Sequence, residues 1–225
     1  DEFRSEYEVI AYFNDNQEWI GSPPIRKRTP SYASATLFQD PHTGEQILAI
    51  RGSDDLEDWK SDLASIALLG SPKFQLQYTV LKEKVIEWIS SGILRPGYTV
   101  TGHSLGGFLA IGLTADAGPE IAHTYIYNSP GIGGFQFSGI ASGFNTWLAN
   151  VRPDQPAPDA SKVTNIVALG GPTLVPTLGI PVGDRVNVAI EAERLSLLTV
   201  PQALNAHRIE KLTDALAVYD LLAKI

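Results

Sequence analysis

An α/β fold, with a mostly parallel central sheet and helices on both faces, is predicted for this chain by three observations. Short β-branched and aromatic runs alternate with longer segments of helical periodicity. The stretch Tyr98-Thr-Val-Thr-Gly-His-Ser-Leu-Gly-Gly107 reads as a strand, a sharp turn carrying a serine, and the start of a helix. Of the 225 residues 44% are hydrophobic and 19% charged, a globular composition with enough chain for one large domain spanning 1–225.

Each element has its own warrant. Asp1 to Arg28 is mixed and partly aromatic (Tyr7, Tyr12, Phe13, Trp19), and a helix covering an edge of the sheet is expected there. Ala33–Gln39 and Gln46–Arg51 read as two strands of a hairpin, joined by the turn-forming Asp40-Pro-His-Thr-Gly44. A helix is predicted from about Leu56 to Leu69. A second spans Phe74–Ser90, where Tyr78, Leu81, Val85, Trp88 and Ile89 recur at helical spacing. Gly92 and Pro96-Gly97 end it before the strand Tyr98–Thr101. The apolar run Leu105–Ala117 is the next helix, and His123–Asn128 the next strand. Val163–Leu169 and Arg185–Ile190 complete the strands. Ile209–Ile225 closes the chain as a helix with Leu212, Leu216, Tyr219 and Leu222 on one face.

Lys+Arg 17 against Asp+Glu 25 gives a net charge of −8, which argues against nucleic acid and against an electrostatic grip on anionic membranes. No apolar run approaches the length of a transmembrane segment. The absence of cysteine removes disulfides, metal–thiolate sites and a cysteine nucleophile. The absence of methionine marks the chain as a processed product or a piece of a longer protein. Acidic, cysteine-free and without a basic apolar leader, it fits export without a signal peptide, the favoured reading, or the cytoplasm.

Gly102-His-Ser-Leu-Gly106 fits G-x-S-x-G, with the strand before and the helix after that a nucleophile elbow requires. A serine lifted onto a strained turn needs neighbours without side chains, and the helix that follows directs its free N–H groups at the oxygen under attack. The competing reading is a glycine-rich turn in which Ser104 only caps a helix.

A serine nucleophile needs a base. Of the four histidines, His103 adjoins the serine and is turned away by strand alternation. His42 and His123 belong to the edge from which parallel strands start. His207 follows every strand and precedes the last helix, in the order serine, acid, histidine of this hydrolase arrangement. The oxyanion needs two donors. The Leu105 N–H is one, and Ser53, at the carboxyl end of a neighbouring strand after Gly52, is the other candidate. No metal or other cofactor is expected, since the histidines lack ligand spacing such as H-E-x-x-H.

Ala49-Ile-Arg-Gly-Ser53, Asp58-Trp59, Asp62, Gly102-His-Ser-Leu-Gly-Gly107 and Tyr127-Asn-Ser-Pro-Gly131 together resemble the class 3 (fungal-type) lipase family. The resemblance runs from about Ala33 to the last helix. It implies an α/β-hydrolase fold, hydrolysis of carboxylic esters of lipids at or near a lipid interface, Ser104 as nucleophile, Ser53 as oxyanion donor and His207 as base. The acid departs from the pattern. The family has an aspartate just after the strand that Val163–Leu169 resembles, and here Gly170-Gly171-Pro172 stands there. Asp184 is the favoured acid if Arg185–Ile190 returns antiparallel, and Glu191 is better placed if that strand runs parallel. A serine–histidine dyad is the third possibility.

Three functions compete on these residues. One is a lipase or phospholipase A, for which Leu63–Leu69 or the aromatic stretch Gly134–Leu148 supplies a lid or acyl wall. Another is a soluble esterase or thioesterase on the same site. The third is a catalytically silent binding domain, motivated by the missing aspartate.

Overall fold

The computed structural model describes residues 6–16, 19–20, 27–28, 30–52, 72–131, 159–169, 181–190 and 208–223. Nine strands lie among them: β1 Glu8–Asn14, β2 Trp19–Ile20, β3 Lys27–Arg28, β4 Ser34–Gln39, β5 Gln46–Ile50, β6 Tyr98–His103, β7 Ile121–Tyr127, β8 Val163–Leu169 and β9 Asp184–Ala189. The helices are α1 Pro72–Ser90, α2 Leu105–Ala117 and α3 Ile209–Ala223, with a 3₁₀ turn at Ala160–Lys162.

Seven strands form one sheet in the order β1-β4-β5-β6-β7-β8-β9. β1, β4 and β5 pair antiparallel, and β5 through β9 are parallel. β2 and β3 form a separate antiparallel pair. With this topology the carboxyl ends of β5 to β9 define one edge of the sheet, and antiparallel β4 starts at that same edge.

The hairpin of β4 and β5 forms as its sequence predicts. Asp40 anchors the turn, its carboxylate accepting from the His42 and Thr43 N–H groups and the Thr43 hydroxyl. Those bonds, the Thr43 hydroxyl first, hold its pKa below the usual carboxylate value. The amino-terminal segment differs from expectation. Glu8–Asn14 is a strand on the outer edge of β4, not a helix. Its β-branched and aromatic residues suit a pleated, half-buried surface, and only Ala11 and Phe13 reach the core.

Alternation along the strands divides the core between the two faces of the sheet. On one face Leu48, Val100, Ile126 and Val163 pack with Tyr78, Leu81, Val85 and Trp88 of α1 and with Phe108, Ile111 and Leu113 of α2. α2 is buried continuously from Leu105 to Ala115, as an all-apolar helix must be. On the other face Ile166, Ala168, Val188 and Ile190 pack with Leu212, flanked by Tyr127, Ile209, Ala215 and Leu216. Helices thus cover both faces. α3 buries only its first half: Tyr219 and Leu222, expected inside, are exposed, as are Val218 and Leu221. The helix predicted over Leu56–Leu69 and the aromatic stretch Gly134–Leu148 lie outside the described residues.

Candidate active site

β6 carries the chain from the buried middle of the sheet to its carboxyl edge, where Ser104 turns into α2. Ser104 has φ 56° and ψ −125°, a left-handed backbone that an L-residue adopts only under constraint. Its N–H donates to the Tyr127 carbonyl at 3.0 Å, pinning the turn to the end of β7. The capping role fails here, because the side chain makes no cap hydrogen bond. The Oγ is buried and has no hydrogen-bond partner among the described residues. A buried hydroxyl left unsatisfied costs about 1–3 kcal/mol and calls for an explanation.

The elbow exists because its flanking residues lack side chains. A Cβ on Gly102 would lie 2.4 Å from the Gly106 carbonyl, and one on Gly106 would lie 2.3 Å from the Ile50 carbonyl. Both contacts are with backbone, which cannot rotate aside. Gly106→Ala is therefore expected to push α2 off β5 and to cost about 1–3 kcal/mol as an overpacking change. For a chain of this size a thermal melt should read that at roughly 2–4 °C per kcal/mol. An unchanged Tm would contradict the close approach.

The start of α2 presents free N–H groups, as every helix start does, and Leu105 supplies the first. The segment after β5 runs directly alongside. A Cβ on Gly52 would lie 2.7 Å from the His103 carbonyl, 3.4 Å from the Gly106 nitrogen and 3.6 Å from the Leu105 nitrogen. Gly52 thus brings backbone against the donors that an oxyanion would use. Ser53, the next residue, lies outside the described residues.

At the other side of the elbow, Asn128 ends β7 with φ 45°. Its N–H donates to the Ile166 carbonyl at 2.9 Å, and its side-chain oxygen accepts from the Ala168 N–H at 2.9 Å. It was not singled out from the sequence; an asparagine just past a strand, where left-handed backbone is tolerated, was the available signal. Tyr127 beside it is half-buried, and that desolvation raises its pKa; Tyr125 adds to the rise and a hydrogen bond with Thr101 opposes it.

The histidines divide by edge. His42 sits in the turn before β5, and His123 pairs with Thr99 near the start of β7 and bonds Thr164 Oγ1 at 2.8 Å. Both are remote from the carboxyl edge. His207 lies outside the described residues, directly before Arg208. At the start of α3 the Glu210 carboxylate is held below its usual pKa chiefly by the hydrogen bond from Arg208, with the charge of His103 a minor contribution.

The acid needs a correction. β9 is parallel to β8, and Asp184 opens it opposite Thr164. Thr164 is level with Tyr125, and Tyr125 with Thr101. Asp184 is therefore three strands across from Ser104 and three residues below it, about 17 Å at ordinary strand spacings. A carboxylate acting through one imidazole stands ~8 Å from the serine, two hydrogen bonds and a ring apart. Asp184, locked in the ladder, does not meet that requirement. Glu191 lies outside the described residues, just past the last ladder bond, from the Ile190 N–H to the Leu169 carbonyl at 2.8 Å.

A groove of about 350 Å³ runs between β9 and α3, lined by Ala189, Lys211, Asp214, Ala215, Val218 and Tyr219. Ser104 does not line it, so it is not where an acyl group would meet the nucleophile.

No protein-family model and no curated protein sequence matches the chain. Solved structures do. A Rhizomucor miehei lipase propeptide complex, in a deletion mutant, aligns with TM-score 0.53 at 14% identity over 84% of this chain and 57% of that one. The Lip2 lipase from Yarrowia lipolytica aligns with TM-score 0.47 at 21% identity over 83% of this chain and 66% of that one. The chain spans less than two thirds of the length of either. With the sheet order, crossovers and elbow already in view, the likeness to the first of these identifies the architecture as an α/β-hydrolase fold.

Proposed function

We propose that this chain is a serine hydrolase of carboxylic esters, a lipase or phospholipase A of the class 3 (fungal) type acting on lipid esters. The observation that carries the reading is Ser104: a left-handed, buried serine between β6 and α2, with its Oγ unpaired among the described residues and helix N–H groups beside it. A strained backbone that places a buried serine at the start of a helix is a cost a purely structural turn has no reason to bear.

In this reading His207 takes the Ser104 hydroxyl proton as Oγ bonds to the ester carbonyl carbon. The carbonyl electron pair moves to oxygen, and the oxyanion is held by the Leu105 N–H and by Ser53. Collapse breaks the bond to the alcohol, which leaves with the proton from His207. Water then cleaves the acyl-enzyme through the same base. Labelling of Ser104 by a fluorophosphonate, with hydrolysis of an ester and phospholipid panel lost in Ser104→Ala, tests the reading. Faster turnover of dispersed than of monomeric ester marks a lipase, and the reverse an esterase. Absence of both labelling and hydrolysis in the parent protein returns the site to a silent binding domain, the reading that Gly170-Gly171 in place of the family aspartate favours.

Glu191 takes the role of acid, orienting His207 and stabilising its charged form. Glu191→Gln is expected to lower turnover on the order of 10⁴-fold, while Asp184→Asn stays within a few-fold. If both variants keep turnover within a few-fold, serine and histidine work as a dyad.

A further inference from the structure

Ser104 and Asn128 directly follow the neighbouring parallel strands β6 and β7, and both hold positive φ, 56° and 45°, without being glycine. Ser104 carries the nucleophile of the proposed reaction. Asn128 is fully buried, and its main chain and side chain both bond to β8. Tyr127 is level with Ile166, so Asn128 faces Val167. A residue there, in a regular parallel ladder, donates its N–H to the Ile166 carbonyl and accepts the Ala168 N–H on its own carbonyl. Asn128 makes the first bond, at 2.9 Å. In the second its side chain takes over: the Ala168 N–H donates to Asn128 Oδ1, also at 2.9 Å. The amide oxygen thus replaces a carbonyl that the left-handed backbone takes out of the ladder. Asparagine suits the place because it tolerates that backbone and carries an acceptor.

The replacement happens at the level of the nucleophile. Tyr127, directly before Asn128, accepts the Ser104 N–H at 3.0 Å. Ser129, directly after it, is buried against the first turn of α2: a Cβ on Gly107 would lie 2.7 Å from Ser129 Cβ and 2.9 Å from Ser129 Oγ. The elbow is therefore held on two flanks. On the β5 side Gly106 lies against the Ile50 carbonyl. On the β7 side Tyr127 holds Ser104 and Ser129 backs Gly107, with Asn128 between them. Without its amide oxygen, β7 would hold β8 by one bond fewer, next to the carbonyl that receives Ser104.

We infer that Asn128 is a positioning residue for the nucleophile: its side-chain oxygen fixes the end of β7 on β8, so that Tyr127 and Ser129 keep Ser104 and the first turn of α2 in reacting geometry. This rests on the ester-hydrolase reading above. Asn128 acts through its two neighbours and on no reacting atom itself. Such a role is consequential because a misplacement of about 1 Å at a reacting group costs on the order of 100-fold in rate.

The test compares the parent protein, Asn128→Gly and Leu94→Ala. Glycine accepts φ 45° without strain and removes the amide oxygen. Leu94 is buried at the opposite edge, before β6, and its truncation leaves a cavity that lowers Tm at least as much as one unpaired N–H does. In Asn128→Gly, kcat on p-nitrophenyl acetate and the rate of fluorophosphonate labelling should each fall on the order of 100-fold, with KM near the parent value. In Leu94→Ala, well below its Tm, both rates should stay close to the parent. Amide hydrogen exchange in Asn128→Gly should speed up at Ala168 and Ser104 together. Unchanged rates in Asn128→Gly overturn the proposal. So does an equal loss in Leu94→Ala, which would trace the effect to general destabilisation, and so does faster exchange at Ala168 with Ser104 unmoved. A parent that neither labels nor hydrolyses fails the ester-hydrolase reading, and exchange at Ser104 then still decides whether Asn128 holds the elbow. If Asn128→Gly does not fold, exchange in the parent under rising denaturant decides: Ala168 and Ser104 should open as one unit, and Ser104 opening first overturns the proposal.

Discussion

Ser104→Ala is expected to lose on the order of 10⁶-fold in ester turnover and to melt no lower than the parent. The size of the loss follows from coupling: nucleophile and base act as one unit, so removing either removes nearly the whole advantage of the pair. What remains is the binding of the ester and the helix N–H groups at Leu105. The stability half of the result follows from burial. Ser104 Oγ is buried with no partner among the described residues, so its removal breaks no hydrogen bond to any of them. The left-handed backbone is unchanged by alanine. Full activity in a variant with native melting would falsify the serine mechanism. A fall in activity with a Tm drop of many degrees would show instead that the hydroxyl supports the elbow.

His207→Ala is expected to cost about as much as the serine change, and the double variant no more than either single one. The proton-acceptor role is not expected to pass to His42 or His123, because the fold keeps both at the opposite edge of the sheet. His42 lies in the turn before β5, and His123 is level with Thr99, five residues before Ser104. His42→Ala and His123→Ala should each stay within a few-fold of the parent in kcat/KM. Loss of activity in either of those, with His207→Ala unaffected, would remove the assignment of the base to the segment before α3. Single-turnover measurements with an activated ester separate acylation from deacylation, and both steps should slow in His207→Ala.

Much of the fold was legible because it is local. The elbow occupies ten consecutive residues, and each has a reason of its own: β-branched residues to make the strand, glycines at 102 and 106 to let backbones touch, and an apolar run to make a buried helix. The hairpin of β4 and β5 is likewise closed by its own turn. α1 shows its buried face in its spacing, and Tyr78, Leu81, Val85 and Trp88 are all buried.

Sequence by itself determined the α/β class, the elbow and the exclusion of a cysteine nucleophile, since these depend on residue identity and on contacts within a few positions. Tertiary structure alone decided what depends on distant partners. Glu8–Asn14 is a strand because β4, some twenty residues later, offers it an edge; taken alone its composition fitted a helix as well. α3 leaves Tyr219 and Leu222 outside because helical periodicity states which residues share a face, not how far the sheet beneath them extends. Asp184 stood in the right loop to be the acid, but the direction of β9 was not written in its own six residues. A strand's alternation is the same read forwards or backwards, so only its parallel pairing with β8 moved Asp184 away from Ser104.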